Sequence, residues 1–158
     1  VGTLSKAVGC LGGFVACSRE MKLWLLNRGR AGVYSTALPQ PVVAGALASI
    51  RAARDEPWRR ERVWAHVRRL SRATGRQVDS PIASIIVGDE GEALAISKRL
   101  LRQGFHVPAI RPPTVPRGTA RLRVTLSAAH SEDDVERMCE ALGACGLPPP
   151  AAAAATAA

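Results

Sequence analysis

The glycine-rich stretch at residues 2–13 constrains the fold of this chain most. Four of its twelve residues are glycine, at positions 2, 9, 12 and 13. Glycine is unfavourable inside a helix and permits the tight backbone of a turn. We therefore expect a strand, a turn that carries Lys6, and a second extended segment over residues 13–17.

Lys6 is the candidate nucleophile of this stretch. A lysine amine attacks a carbonyl only when burial or a neighbouring charge disfavours its ammonium form. Leu4, Val8 and Leu11 give Lys6 an apolar setting that favours the neutral amine, and the glycines leave room for a flat ligand. The chain has three lysines against nineteen arginines, which singles Lys6 out. The alternative is an ordinary strand and turn that ends in one lysine.

Length and cysteine usage limit the class of protein. The 158 residues suffice for one domain or for a piece of a larger one, and the absence of an initiator methionine favours the piece. No segment resembles a signal peptide or reaches the length of a membrane-spanning helix. The four cysteines fit no zinc spacing, so we expect reduced thiols in the cytoplasm, or in an organelle if an address precedes the chain.

The formal charge of +9 raises the possibility of nucleic-acid binding. One tyrosine and two phenylalanines offer little for base stacking, and much of the positive charge is spread along helices. We therefore expect no nucleic-acid partner. The arginines of the helix expected over residues 58–74 are assigned to a solvated surface.

Periodicity predicts helices and strands in alternation. Helices are expected over residues 18–28, 42–53, 58–74 and 92–102, and after Ser131, whose capping partner is Asp134. Residues 82–87 are apolar and β-branched, typical of a buried strand, and residues 121–126 alternate as a half-exposed strand does. Another strand is expected to begin at residues 105–107. Leu101 is placed inward, and the proline- and alanine-rich residues 148–158 are expected to be disordered.

Four segments of the chain resemble the α-oxoamine synthases, in the order and at roughly the spacing of that family. These pyridoxal-phosphate enzymes join an amino acid to an acyl thioester and release carbon dioxide. The resemblance covers about residues 1–145, and its motifs are GTLSKAVGCLGG at residues 2–13, YSTALP at 34–39, AIRPPTVPRGTARLR at 109–123 and TLSAAH at 125–130.

The run AIRPPTVP at residues 109–116 is most similar to members that condense L-alanine with a pimeloyl thioester in biotin synthesis. Members that make 5-aminolevulinate, 2-amino-3-ketobutyrate or a sphingoid base resemble it less. The thiol carrier stays open between coenzyme A and a carrier protein.

The resemblance implies an α/β protein, the C-terminal part of the type I pyridoxal-phosphate fold. Residues 1–55 are expected to form the end of its large cofactor domain. Residues 56–147 are expected to form its small C-terminal domain. It also implies a homodimer with a shared active site.

Site residues follow from the same motifs. Lys6 matches the lysine that holds pyridoxal phosphate covalently, and Thr3 matches a cofactor-binding threonine. Ser35 and Thr36 match hydroxyls that reach the cofactor phosphate of a partner subunit. The alternative for these hydroxyls is local bonding in turns and caps.

Arg111 and Thr114 match residues that bind the substrate. Arginine suits this function because its planar fork binds a carboxylate through two hydrogen bonds. Pro112 and Pro113 also stiffen the backbone after Arg111. The alternative is a surface arginine in a proline-rich loop. His130 is expected to be structural, and no metal site is expected.

Members of this family protonate the pyridine nitrogen with an aspartate that precedes the lysine. Every aspartate of this chain follows Lys6. We therefore expect little or no synthase activity from the isolated chain. A non-catalytic subunit that pairs with a fuller homologue is the alternative.

Overall fold

The computed structural model of the chain describes residues 1–147, so the disorder expected at residues 148–158 lies outside the described residues. The chain divides into two compact units, Val1–Pro57 and Trp58–Ala158. Helices and strands occur in both, which confirms the α/β class. The assignment of these parts to a large and a small domain stays a prediction.

The first unit begins with the expected strand, turn and strand. Gly2 of the first strand pairs with Phe14 of the second in antiparallel fashion, and the second strand is shorter than expected because it ends at Phe14. Only two residues of each strand pair. The elements of this unit are β1 (Gly2–Thr3), β2 (Gly13–Phe14), α1 (Arg19–Arg28), α2 (Arg30–Val33) and α3 (Gln40–Asp55).

The ends of α1 follow the sequence signals. The Ser18 hydroxyl caps the helix by accepting a hydrogen bond from the Met21 N–H at 3.3 Å. Gly29 ends it, with its N–H donating to the Leu25 carbonyl at 2.7 Å. The sequence did not predict α2, a single turn that begins because the Gly29 carbonyl also accepts from Gly32 and Val33.

The long helix α3 begins earlier than expected. Pro39 is its N-cap and Pro41 lies in its first turn, where a missing N–H leaves no hydrogen bond unmade. Among the described residues of the first unit only Ala46 is buried. The apolar residues of α1 stay open, with Met21 48% and Trp24 59% exposed.

The second unit is an antiparallel three-stranded sheet with helices. The order of its strands is β3-β5-β4, so β5 is central, and Ile82 of β3 pairs with Thr125 of β5. The helix predicted over residues 58–74 has those bounds in the structure. The elements are α4 (Trp58–Thr74), β3 (Ile82–Gly88), α5 (Glu90–Arg102), β4 (Ala109–Ile110), β5 (Ala120–Thr125) and α6 (Glu132–Gly143).

The hydrophobic core of the second unit lies between one face of this sheet and the three helices. Leu122 on the central strand is fully buried, as are Leu70 of α4, Leu100 of α5 and Leu142 of α6. The sheet contributes Ala83, Ile85, Leu122 and Val124, and the helices contribute Val67, Leu70, Ile96, Leu100, Val135, Met138, Cys139 and Leu142.

Three details of the second unit differ from expectation. Strand β3 is buried on one face only, because Ile82 and Ile86 point to the open face and are 55% and 43% exposed. Leu101 is 57% exposed because it lies one residue past buried Leu100, about 100° around the helix. The strand expected from residues 105–107 begins at Ala109 instead, since the Val107 N–H bonds locally to the Phe105 carbonyl.

The predicted capping box of α6 is confirmed. The Ser131 hydroxyl accepts from the Asp134 N–H at 3.0 Å. The Asp134 carboxylate accepts from the Ser131 N–H at 3.1 Å and from its hydroxyl at 2.7 Å. Hydrogen bonds from Ser131 hold the pKa of Asp134 below its usual range.

We predict that Leu122→Ala lowers the free energy of unfolding of the second unit by about 2–5 kcal/mol, because it leaves a cavity in the core. Leu101→Ala is the matched control, since it removes the same atoms from an exposed position. Urea denaturation followed by circular dichroism measures both. Equal losses in the two variants would show that the core is not centred on β5.

A second prediction concerns pH. The pKa of Asp134 is lowered in the folded state, so its carboxylate stabilises the fold above the unfolded pKa of about 3.9. This contribution is lost as the pH falls through the lower folded-state pKa. Asp134→Ala should lower the urea midpoint at pH 7, and the difference should shrink below about pH 3.9. Asp133→Ala, in the same turn, is the control, because the capping hydrogen bonds of Ser131 are made with Asp134.

Candidate functional site

Lys6 lies at the tip of a closed loop between β1 and β2. Three backbone bonds close this loop: Leu4 N–H to the Gly12 carbonyl at 2.9 Å, Cys10 N–H to the Leu4 carbonyl at 2.8 Å, and Gly9 N–H to the Lys6 carbonyl at 2.9 Å. Within the described residues Lys6 is exposed. The apolar surroundings expected for its amine are therefore not formed within the described residues.

Glycine at position 12 lets the loop lie directly against the segment that precedes α3. Gly12 has a φ of +115°, which side chains disfavour, and a Cβ built on it would lie 2.7 Å from Cδ1 of Leu38. A Cβ on Gly45 of α3 would likewise lie 3.5 Å from Sγ of Cys10. These contacts place the Lys6 loop beside the segment over residues 34–39 and α3.

Two hydroxyls flank the start of the Lys6 loop. Oγ1 of Thr3 lies 2.7 Å from Oγ of Ser5 and accepts from the Ser5 N–H at 3.2 Å. Thr3 can also donate to the Gly12 carbonyl at 3.4 Å. Both residues are exposed. The two hydroxyl groups can therefore donate hydrogen bonds to the phosphate or phenolate oxygen of a ligand.

Ser35 and Thr36 lie in the exposed segment over residues 34–39. The Ser35 hydroxyl donates to the Gly32 carbonyl at a long 3.5 Å. Tyr34 is 77% exposed, with the Arg30 guanidinium 5.5 Å from its ring centre. The whole segment is thus open to another molecule.

Arg111 and Thr114 are the two ends of one tight turn after β4. The Thr114 N–H donates to the Arg111 carbonyl at 3.0 Å, and the Pro112–Pro113 peptide bond between them is cis. Proline fixes φ, so this backbone is rigid. Both side chains are exposed, which leaves the guanidinium and the hydroxyl available to an anionic ligand.

Arg123 is exposed, as expected from the alternation of its strand, and no contact in the described residues gives it a function. Arg123 lies on the open face of the sheet, directly opposite Ser84. Its neighbour on that face, Arg121, is held by Thr119, to which it donates at 3.1 and 3.3 Å. The alternation of residues 121–126 indicated this exposure, but alternation carries no information about ligands.

The histidines His66 and His130 have structural functions. Nδ1 of His130 accepts from the Ser127 N–H at 3.3 Å, which agrees with the expectation for this residue. Buried His66 places its Nε2 3.2 Å from the His130 carbonyl, so this nitrogen carries the proton in that bond. Both bonds order the turn before α6.

Residues 1–147 contain neither a candidate metal site nor a membrane-spanning helix. Within residues 1–147 no cluster of three or more His, Cys, Asp or Glu side chains could hold a metal ion. No helix in that range is long and apolar enough to cross a membrane. Burial raises the pKa of the Cys139 thiol, which favours the unreactive protonated form.

Comparison with known families and curated proteins gives consistent matches. The family model described as aminotransferase class I and II matches residues 1–142. The 8-amino-7-oxononanoate synthase of Arabidopsis thaliana is 51% identical over 145 residues, which cover 92% of this chain and 30% of that protein. The synthase of that name from Methylococcus capsulatus is 46% identical, over 90% of this chain and 38% of its own. The chain thus spans about a third of the length of these relatives.

Solved structures match the same residues. A structure of SPT with a PLP internal aldimine has a TM-score of 0.85 and 31% identity, over 92% of this chain and 38% of its own. The serine palmitoyltransferase of Sphingomonas wittichii has a TM-score of 0.85 and 32% identity, over 93% and 40%. An 8-amino-7-oxononanoate synthase from Francisella tularensis has a TM-score of 0.75 and, at 24% identity, supports the fold alone.

We predict that Gly12→Ala disorders the Lys6 loop for two reasons. The new Cβ would clash with Leu38, and the positive φ of residue 12 is unfavourable for alanine. Gly9→Ala is the matched control in the same loop: its φ is +68° and nothing lies within 4 Å of the new Cβ. Hydrogen exchange of residues 1–57 should rise more in Gly12→Ala. Equal exchange in the two variants would contradict the close packing of this loop.

Proposed function

The chain belongs to the aminotransferase class I and II family, and on that basis we propose that it forms part of a pyridoxal-phosphate-dependent acyltransferase. The reaction condenses L-alanine with a pimeloyl thioester, releases carbon dioxide and gives 8-amino-7-oxononanoate for biotin synthesis. The observation that carries this proposal is the 46–51% identity to synthases of that name along at least 90% of the chain.

Other α-oxoamine synthases are the alternative within the enzyme class. The serine palmitoyltransferase of Sphingomonas wittichii is 32% identical to this chain, which is well below the identity to the two oxononanoate synthases. This difference favours L-alanine over serine as the amino acid.

The hydroxyls and glycines of the Lys6 loop suit pyridoxal phosphate, whereas the burial that the amine requires must come from further polypeptide. The exposed amine lies on a loop whose glycines carry no side chains, and the hydroxyl groups of Thr3 and Ser5 are close to it in sequence. When bound, the cofactor supplies an electron sink for the negative charge that develops at the α-carbon of the amino acid. Lys6 would hold the cofactor through its amine, and as a free amine it would take the α-proton of the amino acid.

Ser35 and Thr36 are proposed to bind the cofactor phosphate of a second copy of the chain. Support comes from the exposure of the segment over residues 34–39 and from the long internal hydrogen bond of Ser35. A homodimer with a shared site follows from this proposal.

Arg111 is proposed to bind the substrate carboxylate, and Thr114 to add a hydroxyl at the other end of the same turn. A guanidinium fixed by a rigid turn orients a carboxylate through two parallel hydrogen bonds. This orientation determines which bond of the amino acid stands perpendicular to the cofactor ring.

Residues 1–158 are proposed to have little or no synthase activity by themselves. The aspartate that protonates the pyridine nitrogen has no candidate in the first unit, where Asp55 is the single aspartate. Asp55 is exposed and bonded to Arg54 at 2.6 Å. Without such an aspartate the cofactor is a poor electron sink, so further polypeptide must complete the site.

Labelling of lysine tests the proposal. Pyridoxal phosphate followed by borohydride should modify Lys6 in the complete gene product in preference to Lys22 and Lys98, as read by peptide mass spectrometry. Lys6→Ala should abolish this label and lower turnover of L-alanine with pimeloyl-CoA at least about a thousandfold, within the range of general-base effects. Lys22→Ala is the matched control and should change neither.

Equal labelling of the three lysines would contradict a cofactor site at Lys6. Selective labelling without turnover would favour the non-catalytic subunit over the synthase. The same labelling of residues 1–158 alone measures how much of the site these residues form.

A further inference from the structure

The two outer strands of the sheet in the second unit differ in how their free edges are protected. Strand β4 is two residues long and lies between Pro108 and the Pro112–Pro113 pair, which have no N–H groups. Strand β3 spans Ile82–Gly88 and contains neither proline nor a charged side chain. An exposed edge without such residues is a template for pairing with another chain. The free edge of β3 is therefore the open edge of this sheet.

Alternate residues of β3 direct their backbone groups to its free edge. The Leu126 N–H donates to the Pro81 carbonyl at 2.8 Å, so the odd-numbered residues of β3 bond to β5 in this antiparallel ladder. The residues between them have N–H and carbonyl groups that point away from β5, and these are Ile82, Ser84 and Ile86.

Most of these backbone groups lack a hydrogen bond. Oγ of Ser80 accepts from the Ile82 N–H at 3.1 Å. The N–H groups of Ser84 and Ile86 have no partner within the described residues of the second unit. Unpaired donors and acceptors in a row are what a further β-strand binds.

The regular part of this edge is symmetric about Ser84. It begins after Pro81, which has no N–H, and ends at Ile86, because the register with β5 shifts before Gly88. Two copies aligned antiparallel over residues 82–86 place Ser84 opposite Ser84. The same alignment places Ile82 of one copy opposite Ile86 of the other, so the edge is complementary to itself.

We propose that β3 of one copy of the chain pairs with β3 of a second copy, in antiparallel register about Ser84. The two Ser84 residues exchange N–H to carbonyl bonds, and the Ile86 N–H of each copy donates to the Ile82 carbonyl of the other. On the open face, Ile82 and Ile86 are 55% and 43% exposed, and they contact each other across the new strand pair. The pairing makes the missing backbone bonds and covers apolar area.

The charges of the sheet do not oppose this pairing. Strand β3 has no charged side chain, and the Arg123 side chain of β5 lies on the open face opposite Ser84. Because neighbouring strands are about 4.8 Å apart, the Arg123 residues of the two copies are about 14 Å apart. This distance exceeds the Debye length of about 8 Å at physiological salt, so their repulsion is largely screened.

The β3 contact is separate from the contact proposed for Ser35 and Thr36, because it uses the second unit and not the first. It needs neither the cofactor nor turnover. The outcome of its test is therefore independent of the proposed function.

The test compares Ser84→Pro with the wild type in the complete gene product, by sedimentation velocity over a range of concentrations. Proline removes the N–H at the centre of the contact and leaves the bonds to β5, because the Ser84 N–H points away from that strand. We expect the dissociation constant of this association step to rise at least tenfold. Ser84→Ala is the matched control: it keeps the N–H and should associate as the wild type does. Circular dichroism in urea compares the folding of the variants.

A disulfide tests the register without the proline variant. The Cα atoms of a hydrogen-bonded antiparallel pair are about 5.5 Å apart, within the range of about 4.4–6.8 Å that disulfides span. Ser84→Cys should therefore link two copies through residue 84 on mild oxidation, as read by peptide mass spectrometry. Thr125→Cys is the matched control, because Thr125 is exposed on the same face of β5 and lies more than about 14 Å from its copy.

Loss of association in Ser84→Pro, together with the disulfide between residues 84, would support the β3 contact whether or not the protein turns over a pimeloyl thioester. Equal association of Ser84→Pro and the wild type would overturn it. A residue 84 cysteine that links no more often than the residue 125 cysteine would also overturn it, and with association lost in Ser84→Pro this result would favour another extended segment as the partner of β3.

Discussion

The pairing of β5 with strands on both sides is the interaction on which the second unit depends. Leu122 of β5 lies opposite Ile85 of β3 and Ala109 of β4, and it is fully buried beneath the helices. The loop that connects β4 to β5 contains the Arg111–Thr114 turn. Because β4 and β5 pair with each other, the hydrophobic core fixes both ends of that loop. The burial of Leu122 and the exposed position of Arg111 therefore depend on the same strand pairing.

The first unit has almost no buried core, so other interactions determine its backbone. Its strands pair over two residues each and Ala46 is its single buried residue in the described range, so burial contributes little. Close backbone approach at Gly12 and the loop-closing hydrogen bonds give the Lys6 loop its shape instead. Phe14, Trp24 and Leu47 remain about half exposed.

Features that depend on local sequence were predictable, and features that depend on spatial neighbours were not. The bounds of α4 and the Ser131–Asp134 box follow from periodicity and from bonds between residues three apart. The sequence did not predict the exposure of Lys6 and Leu101. The backbone of the β1–β2 loop determines the surroundings of Lys6, and the packing of α5 in the core determines that Leu100 is buried and Leu101 is not. For the site, motif resemblance supplied the candidates, and the alternation of residues 121–126 indicated that Arg123 is exposed without giving it a function.

The packing of α4 determines which of its side chains face outward. Its inward side contributes Val67 and Leu70 to the core, so the orientation of the helix is fixed by burial. Rotation that would hide Arg68 and Arg72 would expose those two residues, each worth about 1.5–3 kcal/mol when buried. Pairing of Arg69 with α6 holds the same orientation from the other side. The packing of the core therefore keeps Arg68 and Arg72 on the outward side of α4.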